Sequence, residues 1–351
     1  MNARRKTVYV AMSGGVDSSA AAALLTERGF RVVGVFMKPW QPAGVACQWH
    51  QDRTDALRVA TALGIPLLTW DFSSAYGAKV ARPMVAGYRA GITPNPDVEC
   101  NRHIKFGLFL RRALAGGADA IATGHYARIR RIRSAGGSRK AVLARAKDRN
   151  KDQTYFLWGV PQAALERVLF PVGGMLKSEV RGYAKKRNLP VAGKKDSQGV
   201  CFVGEMDFKS FLARRIRSRR GLIRDREGTV LGGHDGVSYY TVGQRHGLGL
   251  PGGTGPWYVT GKDIRRNELI VGPAEDLACS RARITGTRWF AGKPGPRERV
   301  SVAVRYRSPA RPAVISSRGI IRFLRPVRAV AAGQSAVVYR NGCVIGGGIL
   351  V

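Results

Sequence analysis

The chain has 351 residues, of which 44% are apolar, and this composition excludes a disordered protein and provides cores for two or three domains. Its 59 basic and 23 acidic residues give a net charge of +36, which favours a polyanionic partner. No apolar stretch reaches the ~18 residues of a membrane span, and the run after the basic start is too short for a signal peptide, so we expect a cytoplasmic protein.

From Val8 to about residue 205, apolar strands alternate with helical stretches, which predicts an α/β domain with a doubly wound parallel sheet. The predicted strands are Val8–Met12, Arg31–Met37, Ile65–Asp71 and Ala118–Thr123. The predicted helices are Ser18–Arg28, Asp52–Leu63, Phe106–Gly116 and Met175–Asn188. A short hairpin strand is expected at Val142–Ala146, after the glycine turn at 136–137.

The first predicted strand runs into residues 13–19, Ser-Gly-Gly-Val-Asp-Ser-Ser, which we call the anion loop. Glycines let backbone N–H groups approach an anion, serines add donors, and the start of the next helix contributes partial positive charge. The loop lacks the lysine of a Walker A motif and the spacing of G-x-G-x-x-G. It resembles the pyrophosphate loop of the ATP pyrophosphatases, which adenylate a substrate oxygen; the structural alternative is a plain glycine turn.

A second motif, Thr93-Pro-Asn-Pro-Asp97, leads to Cys100. Its two prolines predict a stiff, extended loop that presents Asn95 and Asp97 outward. Basic residues follow directly at positions 102, 103 and 105, and positive neighbours increase the thiolate fraction of a cysteine. A reactive Cys100 is therefore predicted, although a free cysteine is more commonly a small buried residue.

Three further motifs have both a structural and a functional interpretation. Thr123-Gly-His-Tyr ends a strand at the sheet edge that binds ligands, whereas a lone histidine more often packs or caps. Lys151-Asp-Gln precedes an aromatic helix start, so it is suited to capping or to donating to phosphate or ribose. Cys201, between Val200 and Phe202, fits a core strand as well as it fits a reactive thiol.

The remainder of the chain changes in character. Residues 205–272 contain short strands and glycine turns, which predict a small central domain with a basic run at 214–220. The short alternating strands after about residue 275 predict a β-barrel of roughly 75 residues. Its predicted strands are Ala282–Ile284, Val300–Tyr306, Ala313–Ser316, Ala336–Tyr339 and Cys343–Gly347. The predicted domains are therefore 1–205, 206–273 and 274–351.

Charge and cysteine usage leave some questions open. The 44 arginines against 15 lysines favour nucleic-acid binding, but a drift in codon composition gives the same bias. The five cysteines are scattered, without CxxC or Cys/His zinc spacing, so no structural metal is predicted. In a reducing compartment they are free thiols.

Taken in order, the motifs resemble the tRNA-specific 2-thiouridylase family. The resemblance includes the anion loop, Thr93-Pro-Asn-Pro with Cys100-Asn101, Thr123-Gly-His-Tyr, Lys151-Asp-Gln and the Cys201 motif Asp-Ser-Gln-Gly-Val-Cys-Phe. It continues through Thr241-Val-Gly-Gln-Arg-His-Gly-Leu-Gly to Gly333-Gln-Ser-Ala-Val, and so covers nearly the whole chain. The family replaces the C2 oxygen of the wobble uridine of tRNA by sulfur.

The resemblance implies ATP as a co-substrate, because a carbonyl oxygen leaves only after adenylation. Release of pyrophosphate and then of AMP follows. The implied ATP-binding residues are Ala11, Met12, Ser13, Gly14, Gly15, Val16, Asp17, Ser18, Met37 and Gly124. Mg²⁺ would accompany the nucleotide; Asp17 is a plausible partner for it, and no metal ligand is assigned.

The resemblance also implies catalytic roles for Cys100, Cys201 and Asp97. Cys201 receives sulfur as a persulfide from a sulfur-carrier protein, and Cys100 helps to release it, leaving a Cys100–Cys201 disulfide to be reduced in each turnover. In the other route, Cys100 frees hydrosulfide, which attacks C2. Asp97 is a candidate acid or base beside a flipped-out base.

The implied partner is tRNA rather than DNA or a membrane. Asn95, Pro96 and Asp97 would line the base pocket. The other implied tRNA contacts are His125, Lys151, Asp152, Gln153, Arg305, Tyr306 and Gln334. Arginine and tyrosine suit phosphate pairing and base stacking on splayed RNA loops.

Two other classes of function remain at this stage. Another ATP pyrophosphatase, such as an amidating synthetase or a different tRNA-modifying ligase, would share the anion loop without needing paired cysteines. A non-catalytic RNA-binding protein with a degenerate nucleotide site would bind tRNA without turning over ATP.

Overall fold

The computed structural model describes residues 5–41, 49–133, 137, 139–195, 208–250, 255–290 and 292–351. Cys201 and its motif, residues 196–204, lie outside these ranges, as does Cys47.

The described strands and helices agree well with the predicted alternation. In chain order the strands are β1 (Thr7–Ala11), β2 (Arg31–Lys38), β3 (Leu67–Asp71), β4 (Ala120–Ala122), β5 (Ala127–Arg133), β6 (Arg139–Arg145), β7 (Val168–Leu169), β8 (Gly221–Arg224), β9 (Val230–His234), β10 (Tyr258–Asp263), β11 (Glu268–Gly272), β12 (Ala278–Trp289), β13 (Val300–Ala303), β14 (Arg311–Ile315), β15 (Ile320–Arg328), β16 (Ser335–Arg340) and β17 (Cys343–Leu350). The α-helices are α1 (Val16–Glu27), α2 (Trp49–Ala62), α3 (Ser73–Tyr76), α4 (Arg82–Arg89), α5 (Pro96–Glu99), α6 (Leu110–Ala115), α7 (Gln162–Leu165), α8 (Lys177–Lys186) and α9 (Phe208–Ala213).

The first domain is built on a five-stranded parallel sheet with the order β3-β2-β1-β4-β7. The sequence of β1 is almost entirely apolar, because both faces of this strand are buried. Helix α1 packs between this sheet and α8, and its alanines are buried on both sides for that reason. The predicted parallel α/β sheet is confirmed, and the anion loop lies at the carboxyl end of its middle strand.

The segment that contains Cys100 is helical, which corrects the predicted extended loop. Helix α5 continues through a π-helical stretch, Cys100–Phe109, into α6; we call residues 96–115 the Cys100 helix. Pro96 occupies the first helical turn, where its fixed φ is favourable and its missing N–H costs nothing. The side chain of Asn95 accepts the backbone N–H of Val98 at 3.4 Å and so caps the helix.

The central domain has a four-stranded sheet with the order β10-β11-β8-β9. It joins the first domain through α9, where Phe211 and Leu212 pack against Met84 and Tyr88 of α4. Ile264, after β10, lies against Gly91, so the central domain also contacts the chain just before Thr93.

The last domain is a closed barrel, as predicted. Six strands follow the order β12-β15-β14-β13-β16-β17, and pairing of β12 with β17 closes the ring. The sequence analysis missed β15, since Pro326 interrupts its alternating pattern; the ladder skips this proline through an irregularity opposite β12. The predicted strand Val300–Tyr306 ends at Ala303, so Arg305 and Tyr306 lie in the turn that follows.

The first domain and the barrel share a seam. The predicted hairpin, β5 and β6, extends the barrel sheet, because Ala144 pairs with Cys343 and the N–H of Arg145 donates to the carbonyl of Gly342 at 2.9 Å. Tyr155 donates to the carbonyl of Ser335 at 2.8 Å, and the indole N–H of Trp158 donates to the Ser335 hydroxyl at 2.9 Å. Both aromatic side chains are buried, so this seam is a continuous part of the core.

None of the described helices has both the length and the apolar character needed to cross a membrane.

Replacement of Tyr155 by phenylalanine tests the seam. Burial raises the pKa of Tyr155 far above its ordinary value, so its hydroxyl remains a donor, and its loss leaves buried carbonyl groups without that partner. We expect Tyr155→Phe to lower the free energy of unfolding by about 1–3 kcal/mol in urea titrations. The matched control, Tyr183→Phe, removes a more exposed bond to Glu27 and should cost less than about 1 kcal/mol. Equal losses in the two variants would show that the Tyr155 bond does not stabilise the seam.

Candidate functional site

The anion loop has the geometry expected of an anion cradle. Gly15 is the N-cap residue of α1, and no side chain of the described residues caps this helix start, so its first N–H groups remain available to a ligand. The Ser18 hydroxyl accepts the N–H of Ser13 at 3.2 Å, and Ser19 donates to the carbonyl of Gly15 at 2.8 Å. Both hydrogen bonds join residues of the anion loop to one another, so they fix its conformation and the direction of its backbone N–H groups.

Gly14 is held from outside the loop. Its φ of +74° suits only glycine, and a Cβ atom there would come within 2.2 Å of the carbonyl oxygen of Asp52. Lys194 donates to the Gly14 carbonyl at 3.1 Å and forms ion pairs of 2.7 Å with both Asp52 and Asp55. Burial lowers the pKa of Lys194, but the bonds to the two carboxylates outweigh it, and the net pKa is raised.

Lys194 was missed by the sequence analysis. Its partners lie about 140 and 180 positions earlier in the chain, so no local pattern identifies it. Lys194 lies two residues before the Cys201 motif, which begins at residue 196.

The carboxylate of Asp17 is already engaged. Lys177 approaches its two oxygens at 2.7 and 2.8 Å, and the Tyr126 hydroxyl donates to it at 2.8 Å. Within the described ranges, no group of three or more His, Cys, Asp or Glu residues is arranged to hold a metal ion. Asp17 therefore orders the start of α1 in this structure.

The predicted ATP-binding residues come together at one edge of the sheet. The anion loop follows β1, Met37 lies near the end of β2, and Gly124 follows β4, and these three strands are neighbours. A Cβ atom on Gly124 would lie 2.6 Å from the backbone nitrogen of Ser18. The anion loop can therefore lie this close to the strand end only because residue 124 has no side chain.

His125 is enclosed by aromatic rings. Its ring centroid lies 5.8 Å from that of Phe106 on the Cys100 helix and 6.2 Å from that of Phe170. Its Nδ1 shares a hydrogen bond of 2.8 Å with Thr123. Burial, and then the charge of Lys105, lower its pKa well below the ordinary value of 6.5, so the ring is neutral at neutral pH. It connects the Cys100 helix to the strand end beside the anion loop.

Thr93 is the point where all three domains meet. Its N–H donates to the carbonyl of Ala332 at 2.8 Å, and its own carbonyl accepts the side-chain amide of Gln334 at 2.9 Å. Its hydroxyl donates to the hydroxyl of Thr241 in the central domain at 3.2 Å. The barrel and the central domain together fix the chain that enters the Cys100 helix.

The first turn of the Cys100 helix carries the predicted base-pocket residues. Asn95, Pro96 and Asp97 keep part of their surface, whereas Cys100 is fully buried. The predicted extended conformation is wrong from Pro96 onward, because the helix begins there and turns Cys100 into the core, whereas Asn95 and Asp97 remain partly exposed. Access to the Cys100 sulfur therefore requires a local opening.

The other predicted RNA residues lie along the seam. Tyr306 packs on Phe156 with ring centroids 4.4 Å apart, and a Cβ atom on Gly243 would lie 2.7 Å from a guanidinium nitrogen of Arg305. Asp152 is buried, accepts the N–H of Thr154 at 3.1 Å and pairs with Arg145 at 3.3 Å. Asp152 thus holds the backbone just before the short 3-10 helix Thr154–Phe156, although the N-cap position of that helix is Gln153.

Lys151 and Gln153 flank this buried carboxylate and are partly exposed. Gln153 accepts the N–H of Tyr126 at 2.9 Å through its side-chain oxygen, so it is also tied to the strand end. The structure thus brings 151–153, 305–306 and 334 to one side of the molecule, around Tyr155 and Thr93.

An anion loop on a parallel α/β sheet, with two smaller β domains that complete the site, defines a multidomain nucleotide-binding protein of the ATP-pyrophosphatase class. Three family models match the chain: the tRNA methyl transferase HUP domain at residues 6–205, the tRNA methyl transferase PRC-barrel domain at 209–273 and the aminomethyltransferase beta-barrel domain at 280–350.

Curated relatives match over almost the full length. The tRNA-specific 2-thiouridylase MnmA of Geobacillus thermodenitrificans is 44% identical over 98% of this chain and 94% of its own. The enzyme of the same name from Janthinobacterium sp. is 42% identical over 99% and 98%. The chain belongs to the tRNA-specific 2-thiouridylase family. A solved 4-thiouridine synthetase–RNA complex with bound ATP aligns with a TM-score of only 0.36 and 18% identity, over 60% of this chain and 50% of that one.

Gly124→Ala tests the contact between the strand end and the anion loop. The added methyl group would meet the backbone of Asp17 and Ser18, so the loop must shift, and overpacking of this kind costs about 1–3 kcal/mol. We expect the affinity for a non-hydrolysable ATP analogue, measured by calorimetry, to fall at least about tenfold. Gly174→Ala is the matched control, since a Cβ atom there meets nothing within 4 Å. Unchanged affinity in Gly124→Ala would contradict this role of the glycine.

The pKa of His125 predicts a pH dependence of stability. Since its pKa is lowered in the folded protein, the unfolded chain takes up a proton near pH 6.5 that the folded chain does not. Stability contributed by the neutral ring is therefore present above this pH and is lost as the pH falls below it. We expect His125→Gln to lose less stability than the wild type between about pH 7 and about pH 5.5, in urea titrations at both values. A His125→Gln variant with the same pH slope as the wild type would contradict the assignment.

Proposed function

We propose that this chain is an ATP-dependent tRNA sulfurtransferase that places sulfur at C2 of the wobble uridine. The observation that carries the proposal is the connection of the Cys100 helix to the anion loop, in a chain whose relatives named as 2-thiouridylases match it over almost its full length. Phe106 of that helix packs on His125, and the adjacent Gly124 touches the loop. A thiol and a nucleotide site are thereby built into one rigid unit.

The anion loop would bind the phosphates of ATP through the free N–H groups at the start of α1. Activation then transfers the AMP group to the C2 oxygen of uridine and releases pyrophosphate. The developing negative charge on pyrophosphate is met by the backbone donors of the loop and by the helix dipole, which stabilise it without further reorganisation. Mg²⁺ would come with the nucleotide phosphates, since Asp17 is engaged by Lys177.

Two thiols complete the exchange. A persulfide on Cys201, received from a sulfur-carrier protein, attacks C2 with its terminal sulfur, and AMP leaves. The Cys100 thiolate then attacks the inner sulfur of the resulting disulfide, which leaves the outer sulfur on the uridine and forms a Cys100–Cys201 disulfide. An external thiol reductant restores both cysteines.

The second route uses the same atoms in another order. Cys100 attacks the Cys201 persulfide directly, forms the same disulfide and releases hydrosulfide, which then displaces AMP. Burial of Cys100 favours neither route, but it limits unproductive oxidation of this thiol in the resting enzyme.

The substrate base would enter beside Asn95, Pro96 and Asp97. A base in an anticodon loop must be turned out of its stack for chemistry at C2, and a partly exposed first helical turn beside the three-domain junction offers a pocket for it. Asp97 is the candidate acid or base in this pocket. Lys151, Gln153, Arg305, Tyr306 and Gln334 surround the same junction, while Asp152 and His125 act by holding its shape.

Nucleoside analysis tests the proposed function. The proposed location of the protein is the cytoplasm. In cells that produce this chain, tRNA should contain 2-thiouridine at the wobble position, and cells without it should lack this nucleoside. Mass spectrometry also separates the activity named in the family models, since methylation adds a methyl group whereas thiolation exchanges oxygen for sulfur. Loss of a methylated nucleoside instead, or no change in tRNA, would overturn the proposal.

Cysteine variants test the two-thiol scheme. We expect Cys100→Ala and Cys201→Ala each to abolish 2-thiouridine formation while ATP still binds, because each removes a sulfur that the exchange requires. Cys279→Ala, on the barrel, is the matched control and should retain wild-type activity. Product analysis with purified enzyme, ATP, a persulfide donor and tRNA provides the measurement. Full thiolation by either of the first two variants would exclude the scheme.

A further inference from the structure

A cavity of about 430 Å³ lies in the seam between the Cys100 helix and the barrel. The helix contributes Val98, Glu99 and Arg102 to its wall, and Trp158 and Gly159 form its floor. The barrel contributes Gly286, Thr287 and Arg288, which belong to β12. The sequence analysis considered Arg102 only as a basic neighbour of Cys100, and it did not consider the barrel residues of this cavity.

A β-bulge shapes the barrel side of this cavity. The register of β12 against β17 shifts between Thr285 and Arg288, and Gly286 has a left-handed φ of +56°. A bulge of this kind changes the direction of the following side chain, here Arg288. Arg288 therefore lines the cavity together with Arg102 from the other domain.

The two guanidinium groups share one environment, and the wall of the cavity also holds one carboxylate, that of Glu99. In the parts of the chain that the structure describes, neither Arg102 nor Arg288 forms an ion pair. Burial, and then the charge of Arg102, lower the pKa of Arg288. Glu99 is bonded to the imidazole of His103 at 3.1 Å, but burial lowers the pKa of His103, so the imidazole does not cancel the charge of Glu99 and the wall keeps one positive charge in excess.

This pair of charges is not needed to join the domains. The seam is held by Tyr155, Trp158 and the pairing of β6 with β17, and none of these contacts involves either guanidinium group. Two like charges at one cavity instead lower the stability of the empty protein. An anion bound between them removes that cost, and guanidinium groups pair with phosphate oxygens in a bidentate geometry.

We propose that this cavity binds one phosphodiester group of the tRNA backbone, between Arg102 and Arg288. The inference rests on tRNA being the substrate, as proposed above. Val98 and Glu99 of the cavity wall directly follow Asp97 on the same helix, so a phosphate held here would fix the RNA strand next to the proposed base pocket. The contact positions the backbone and reads no base, as is usual for phosphate contacts.

Arg102→Gln and Arg288→Gln test the site through tRNA affinity. Each variant should bind tRNA about tenfold more weakly at low salt, with a smaller slope of log affinity against log salt by about 1. Arg31→Gln is the matched control: it removes an exposed arginine at the amino end of β2, the opposite edge of the sheet from the anion loop. Affinity for the ATP analogue should be unchanged in all three, which shows that they are folded. If the two cavity variants match Arg31→Gln in affinity and slope, the proposal is wrong.

A double-mutant cycle and modified RNA identify the ligand. Since both arginines would hold the same phosphate, the double variant should weaken binding by less than the product of the two single effects. Neutral methylphosphonate groups, placed one at a time in the anticodon arm, should reveal one position that weakens binding to the wild type but not to the double variant. If no position does so, or if inorganic phosphate stabilises only the wild type while tRNA affinity is unaffected in the variants, the site does not bind RNA.

The outcome is separable from that of the proposed function. At saturating tRNA the Arg288→Gln variant should still form 2-thiouridine, because Arg288 belongs to the barrel and has no part in the proposed chemistry at Cys100. Failure of this inference leaves thiolation intact, whereas failure of the proposed function would remove thiolation from the wild type itself.

Discussion

The attachment of Tyr155 and Trp158 to Ser335 is the constraint on which the rest of the arrangement depends. It fixes the barrel on the flank of the α/β domain, and the neighbouring Phe156 then supports Tyr306 from the barrel. The same docking brings Gln334, next to Ser335, within hydrogen-bonding distance of Thr93. One buried contact between domains thus determines where the Cys100 helix starts relative to both β domains.

A second set of contacts acts at the nucleotide end. Lys194 forms ion pairs with both Asp52 and Asp55 and at the same time donates to the carbonyl of Gly14, so the anion loop is fixed by α2 and by the chain that leads to the Cys201 motif. A loop braced in this way presents its N–H groups before any ligand arrives, and such preorganisation is what makes electrostatic stabilisation effective.

Local patterns were sufficient to predict the sheet, the anion loop and the barrel, because apolar periodicity and glycine placement are local properties. They failed at prolines, because proline occurs in stiff loops but also in the first turn of a helix and at irregular positions of a strand. Pro96 begins a helix, although the sequence analysis interpreted it as part of a stiff loop. Pro326 interrupts the alternating pattern of β15, so that strand was not predicted, although the strand accommodates the proline where its pairing is irregular. Lys194 and Arg288 gave no signal, and Arg102 was noticed only as a neighbour of Cys100, since the contacts of all three involve residues distant in sequence.

The pairing of β6 with β17 has a consequence for biosynthesis. Among the described strands, β17 is the last in chain order, yet its first residue, Cys343, pairs with Ala144 of β6, which was made some two hundred residues earlier. Until β17 is made, this end of the hairpin lacks that partner, and an unpaired strand edge is prone to pairing with another chain. A chain shortened before β17 is therefore expected to aggregate through this hairpin more readily than the full chain.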